Sequence, residues 1–133
     1  MKETVLLYNV TDRDRLWKIR QALIPLGFRL KMVAREDYGR PVGALAGVRG
    51  LEETEEEPQT GSFDDEMLVM AGFTSGQIDA LIRALRKTGV GRIDSKAVLT
   101  PVNQTWDSVR LYREIRREHE AMNGIGEEQA GEV

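Results

Sequence analysis

The chain has 133 residues, 41% hydrophobic and 31% charged, the mixture of one globular domain with a core of its own. It has no cysteine and one histidine, His119, which excludes a disulfide framework, thiolate nucleophiles and metal sites built on histidine pairs. The net charge of −3 is uneven: residues 1–51 carry +5, residues 52–66 carry −8, and residues 67–133 balance to zero.

Val5-Leu6-Leu7-Tyr8-Asn9-Val10 is a continuous apolar run, the pattern of a strand covered on both faces. Thr11 or Asp12 can cap the helix that follows, in which Leu16, Ile19, Leu23 and Leu26 share one face. Pro25 and Gly27 end it. Phe28, Leu30 and Met32 then alternate with Arg29 and Lys31, as in an edge strand. Pro41 opens a short helix through Ala46, stopped by Gly47. Residues 48–66 hold the run Glu52-Glu53-Thr54-Glu55-Glu56-Glu57-Pro58, which self-repels and buries nothing, so a solvated flexible loop is expected. Met67-Leu68-Val69-Met70 reads as a second buried strand. Thr74 and Gln77 spell a capping box before a helix with Ile78, Leu81 and Leu85 on its apolar stripe. Ile93 to Leu99 alternate as a second edge strand, ended by Pro101. Thr105 can cap a last helix with Leu111, Tyr112, Ile115 and Met122 on its stripe. Trp17 and Trp106 fall at helix positions suited to packing.

The halves repeat. Val5 and Met67, Leu16 and Ile78, Leu23 and Leu85, and Gly27 and Gly89 each stand 62 positions apart. This spacing predicts a duplicated strand-helix-strand-helix unit within a single α/β domain over 1–133. The first half spans 1–47, the acidic loop 48–66, the second half 67–122, and a frayed tail 123–133. Right-handed crossovers favour a four-stranded parallel sheet of order 2-1-3-4 with helices on both faces. The alternative is a ferredoxin-like α+β sheet of order 4-1-3-2, its second half reversed. Both orders place the two continuous apolar strands in the centre.

The words Asp65-Glu66-Met67-Leu68-Val69-Met70, Lys96-Ala97-Val98-Leu99-Thr100-Pro101-Val102-Asn103-Gln104-Thr105-Trp106 and Glu118-His119-Glu120 resemble a bacterial family known as domain of unknown function 3783. The first half is similar to longer members through Leu6-Leu7-Tyr8-Asn9, Asp37-Tyr38 and Pro41 to Gly47. The resemblance implies no activity.

Candidate ligand contacts follow from the parallel sheet. Ligands favour the crevice where neighbouring strands diverge, beyond their C-terminal ends, and helix N-termini there favour anions. Asn9, Thr11 and Thr74 would face that crevice, and Lys96, Thr100 and Asn103 would approach from the last strand. The plainer reading of Thr74, Thr100 and Asn103 is capping and turn closure. His119 lies on the apolar stripe of its helix, where packing is the usual role. The carboxylates at Glu36-Asp37 and Asp64-Asp65-Glu66 are adjacent in loops and do not converge as a metal site would require. No catalytic residue, metal site or cofactor is expected. The first function expected is a non-catalytic module binding a small anionic ligand or a protein partner. An enzyme acting on a phosphorylated or carboxylated metabolite is second, and a self-associating scaffold third. Nucleic acid is disfavoured despite Arg13, Arg15, Lys18 and Arg20 on one helix, since no recognition signature accompanies them. The chain passes from Met1-Lys2-Glu3 straight into a strand, and no apolar run approaches the roughly 18 residues of a membrane span. The expected setting is cytoplasmic.

Overall fold

The computed structural model describes residues 2–51 and 61–128, with side chains through Ala121. Strand β1 is Thr4–Tyr8, buried throughout. Helix α1, Arg13–Leu23, is capped by Asp12, whose carboxylate accepts from the amides of Asp14 and Arg15; Thr11 plays no part. A 3-10 turn, Ile24–Leu26, absorbs Pro25, and Gly27 closes it in the left-handed region. Strand β2, Arg29–Met32, and the short helix α2, Val42–Leu45, complete the first half. The second half repeats this order with β3, Met67–Ala71, α3, Ser75–Lys87, β4, Ser95–Val98, and α4, Ser108–Glu128. Asp107, not Thr105, caps α4, accepting from the Arg110 amide at 2.8 Å. Thr105 ends a 3-10 turn instead.

The sheet has the order β2-β1-β3-β4, with the two continuous apolar strands in the centre and the two alternating strands at the edges, as expected. The outer pairs are parallel. The central pair is antiparallel, with Leu6 opposite Val69 and Tyr8 opposite Met67, so the sheet is not parallel throughout. The connection between the halves is long enough to return the chain to either end of β1, and a two-sided apolar strand satisfies its neighbours in either direction. The ferredoxin-like order does not occur.

Helices α1 and α3 pack together on one face, over Val5, Leu7, Leu68 and Met70. Helices α2 and α4 cover the other face, over Leu6, Tyr8, Met67 and Val69. Because faces are preserved, Val5 corresponds to Leu68 and Leu7 to Met70, an offset of 63 rather than 62. The helices keep 62, through the caps Asp12 and Thr74. The same strand offset joins Asn9 to Gly72, both with positive φ, at 62° and 79°. Antiparallel first strands and first helices on one face are the relations of an approximate two-fold axis normal to the sheet. Pro41 and Asp107, each just before its helix, pair with one another across the same axis.

Of the expected acidic loop, residues 52–60 lie outside the described residues, as do residues 129–133 of the expected tail; α4 itself runs through Glu128. Residues 61–66 form neither helix nor strand, yet they are tied down. Phe63 is buried and stacks between Tyr38 and Tyr112. Trp17, expected to pack, is 59% exposed. No helix among the described residues is long and apolar enough to cross a membrane.

Candidate functional site

The antiparallel centre separates the expected ligand contacts. Asn9 follows the end of β1 beside the start of β3, whereas Thr74 follows the end of β3 beside the start of β1. They therefore line no common crevice. Asn9 instead clamps the chain: its Nδ2 donates to the carbonyls of Phe63 and Asp65 at 2.9 and 3.0 Å, and its Oδ1 accepts from the Tyr38 hydroxyl at 2.8 Å. Thr11 is exposed and has no side-chain partner among the described residues. Thr74 and Gln77 form the expected reciprocal capping box.

Thr100 and Asn103 do meet, but mainly with each other. The Thr100 amide donates to Asn103 Oδ1 at 2.8 Å, and the Asn103 amide donates to Thr100 Oγ1 at 3.1 Å. Asn103 Nδ2 donates to the Val98 carbonyl at 3.0 Å. The pair closes the turn after β4 and covers a backbone acceptor on the sheet's open edge.

Lys96 differs from the other five because it stands between two grooves. On the α4 side, a groove of about 390 Å³ runs past Thr100, Asn103, Trp106, Glu114 and Glu118. Its two glutamates oppose an anion. On the α3 side, a groove of about 340 Å³ is lined by Ile82, Leu85, Gly91 and Ile93 together with the cations Arg86, Arg92 and Lys96. The first comes from the last turn of α3, the second from the loop before β4, and the third from β4 itself.

The electrostatics of this second groove are lopsided. The Arg86 guanidinium pairs with no carboxylate among the described residues. Arg92 is held by Asp94 at 2.8 Å on an exposed surface, where such a pair is weak. Lys96 Nζ donates to the Ile93 carbonyl. Its pKa lies below the usual lysine value, chiefly through partial burial, then through repulsion from Arg92 and Arg86, with Asp94 partly offsetting. Three positive charges thus crowd one hollow that Ile82, Leu85 and Ile93 also line. Sequence reasoning found Lys96 and missed both arginines. The available signal was four cations within eleven residues, Arg86, Lys87, Arg92 and Lys96, on both sides of Gly89 and Gly91, which turn the chain from helix to edge strand.

Among the described residues, no three of His, Asp and Glu come together as a metal-binding group. His119 is half-buried on α4. No curated protein matches the chain. The second half, residues 66–122, carries every residue lining the cationic groove, and it matches the family model described as domain of unknown function DUF3783.

Proposed function

We propose that the protein is a non-catalytic binding module for a small anion, held at the α3–β4 groove by Arg86, Arg92 and Lys96. The observation that carries this reading is the convergence of those three cations on a hollow of about 340 Å³ that Ile82, Leu85 and Ile93 also line. That volume falls in the range of small-molecule sites, which combine apolar walls with a few polar anchors. Guanidinium forks favour the planar or tetrahedral oxygens of carboxylate and phosphate. The ligand expected is a phosphate or carboxylate with a short apolar body that rests on Ile82, Leu85 and Ile93. The repeat of element order, faces and positive-φ residues supports an origin by internal duplication, with the anion groove developed in the second half alone. The corresponding hollow in the first half is small and mostly apolar, lined by Arg20, Leu23, Ile24, Phe28 and Leu30.

Calorimetric titration with inorganic phosphate, pyrophosphate, a short alkyl phosphate and a dicarboxylate tests the reading. Saturable binding in the millimolar range or tighter is expected for at least one. Arg86→Ala should weaken it by roughly tenfold, the loss of one charge-assisted interaction. Binding should also fall with added salt. No saturation by any of the four, or an unchanged affinity in Arg86→Ala, removes the site. Turnover of the alkyl phosphate would replace the module with an enzyme acting on an anionic metabolite.

A further inference from the structure

We infer that Arg15, from the first half of the chain, is a positioning residue for the anion groove, acting through the loop that carries Arg92. This rests on the anion reading above and adds a part to it that the cations themselves do not supply. Arg15 sits in the first turn of α1, with its side chain three-quarters buried. Its Nε faces both carboxylate oxygens of Glu66, at 2.8 and 2.7 Å. Its Nη1 donates to the Val90 carbonyl, and its Nη2 donates to the Arg92 carbonyl at 3.0 Å. One planar fork therefore holds two carbonyls two residues apart, while a carboxylate fixes the orientation of the fork.

The loop has reason to need such a hold. Gly89 and Gly91 both adopt positive φ, at 79° and 77°. Glycine brings more conformational freedom than any other residue, so two in three positions make the path soft. Val90 and Ile93 are buried and anchor the loop through their side chains. Between them, Arg92 is exposed, and Arg15 grips its carbonyl. The position from which the Arg92 side chain leaves the backbone is thus set across the molecule, by a residue 77 positions earlier. Glu66, Val90 and Arg92 all lie within the segment matched by the family model, and Arg15 lies outside it. The groove belongs to the second half; its shape depends on the first.

A double-mutant cycle separates this role from a general structural one. Arg15→Lys keeps the charge but lacks the planar fork that reaches both carbonyls and the Glu66 carboxylate from separate nitrogens. With pyrophosphate as the probe, Arg15→Lys should weaken binding about fivefold in the native background, and by less than about twofold once Arg92→Ala is present. Amide exchange at residues 90–93 should accelerate in Arg15→Lys. Equal losses in the two backgrounds, or no loss in the native one, overturn the inference. Should Arg15→Lys fail to fold, Glu66→Gln, which weakens the hold on the fork, enters the same cycle with the same expectations. Arg86→Ala is measured alongside. If it leaves pyrophosphate affinity unchanged, the anion site itself falls; if it weakens binding while the cycle shows no coupling, the site stands and only the role of Arg15 falls.

Discussion

At the scale of single residues, Asn9 and Lys96 carry the most consequence. Asn9 is the one non-glycine among the described residues with positive φ, and its first-half position corresponds to Gly72 in the second. Asparagine tolerates that conformation, and here its amide also supplies three hydrogen bonds that glycine cannot make. Asn9→Gly should therefore lose the bonds alone, and Asn9→Ala should lose the bonds and add backbone strain. Urea unfolding is expected to place Asn9→Ala about 2–4 kcal/mol below the native chain and about 1 kcal/mol below Asn9→Gly. Equal stabilities for the two variants would mean that the left-handed backbone costs nothing here. Lys96 makes a prediction about pH. Arg86, Arg92 and Asp94 surround it on the α3 side, and Glu114 and Glu118 line the groove on the α4 side. A bound anion favours the ammonium form, so affinity should hold while Lys96 is protonated and fall as pH rises through its lowered pKa. Titration with sulfate, whose own charge is constant in this range, reads Lys96 without interference. An affinity that stays flat through pH 10.5, the ordinary lysine value, rejects its part in the site.

At the scale of elements, the connections that lock α2 and α4 over the sheet were the least legible. The Val42 amide donates to the Trp106 carbonyl at 2.8 Å, and the Ser108 amide to the Tyr38 carbonyl at 3.0 Å. Gly43 lets α2 approach the 3-10 turn Asn103–Thr105. A methyl there would lie 2.7 Å from Leu51 Cδ1 and 2.9 Å from the Gln104 carbonyl oxygen. The leucine can move and the backbone cannot, so Gly43→Ala should cost about 1–3 kcal/mol in chemical denaturation. A neutral effect would show that α2 shifts freely. Trp106 is half-buried against the core, with the Arg110 guanidinium 4.5 Å above its ring. Trp106→Ala should cost about 2 kcal/mol, less than a core truncation. The sequence made the helices and strands themselves readable, because apolar spacing, Pro25, Gly27 and the Thr74 capping box act locally. It also made the edge strands readable, because Phe28 to Met32 and Ile93 to Leu99 alternate as strands with one wet face do. The direction of β3 against β1 was hidden, since Val5 to Tyr8 and Met67 to Met70 are apolar on both faces and carry no directional mark. That one unknown also misplaced the site: Asn9 and Thr74 share an end of the sheet only if the centre is parallel. Arg86 and Arg92 were illegible as partners of Lys96 because only the packed α3–β4 turn brings them to one hollow.

At the scale of the whole molecule, the tyrosines tie the two halves and residues 61–66 into one unit. The chain has three tyrosines, and all sit at the end of the sheet where β1 finishes and β3 begins. The Tyr8 and Tyr38 ring centroids are 5.4 Å apart, Tyr38 and Phe63 4.9 Å, and Phe63 and Tyr112 4.4 Å. Each hydroxyl has a partner: Ser108 for Tyr8, Asn9 for Tyr38, and the Asp65 carboxylate for Tyr112. Burial raises the pKa of all three. Tyr112 is pushed up to about 12, by burial first and then by its hydrogen bond to Asp65 and the charge of that carboxylate. In the unfolded chain these phenols titrate near 10. Between that value and the folded ones, the native state holds protons that the unfolded state has released, so stability falls as pH rises. The contribution is complete below about pH 10 and is lost progressively toward pH 12 and beyond. Lys96 acts in the opposite sense, since its folded pKa is lowered, but it is one group against three and is spent by its unfolded value of 10.5. Urea midpoints measured from about pH 9 to about pH 12 should therefore drop, and tyrosinate absorbance should appear together with loss of helix rather than before it. Tyr112→Phe should flatten part of the drop. A midpoint that stays level while all three phenols ionise in the folded chain would show that the cluster is open to solvent, and that residues 61–66 are not held to the body as described.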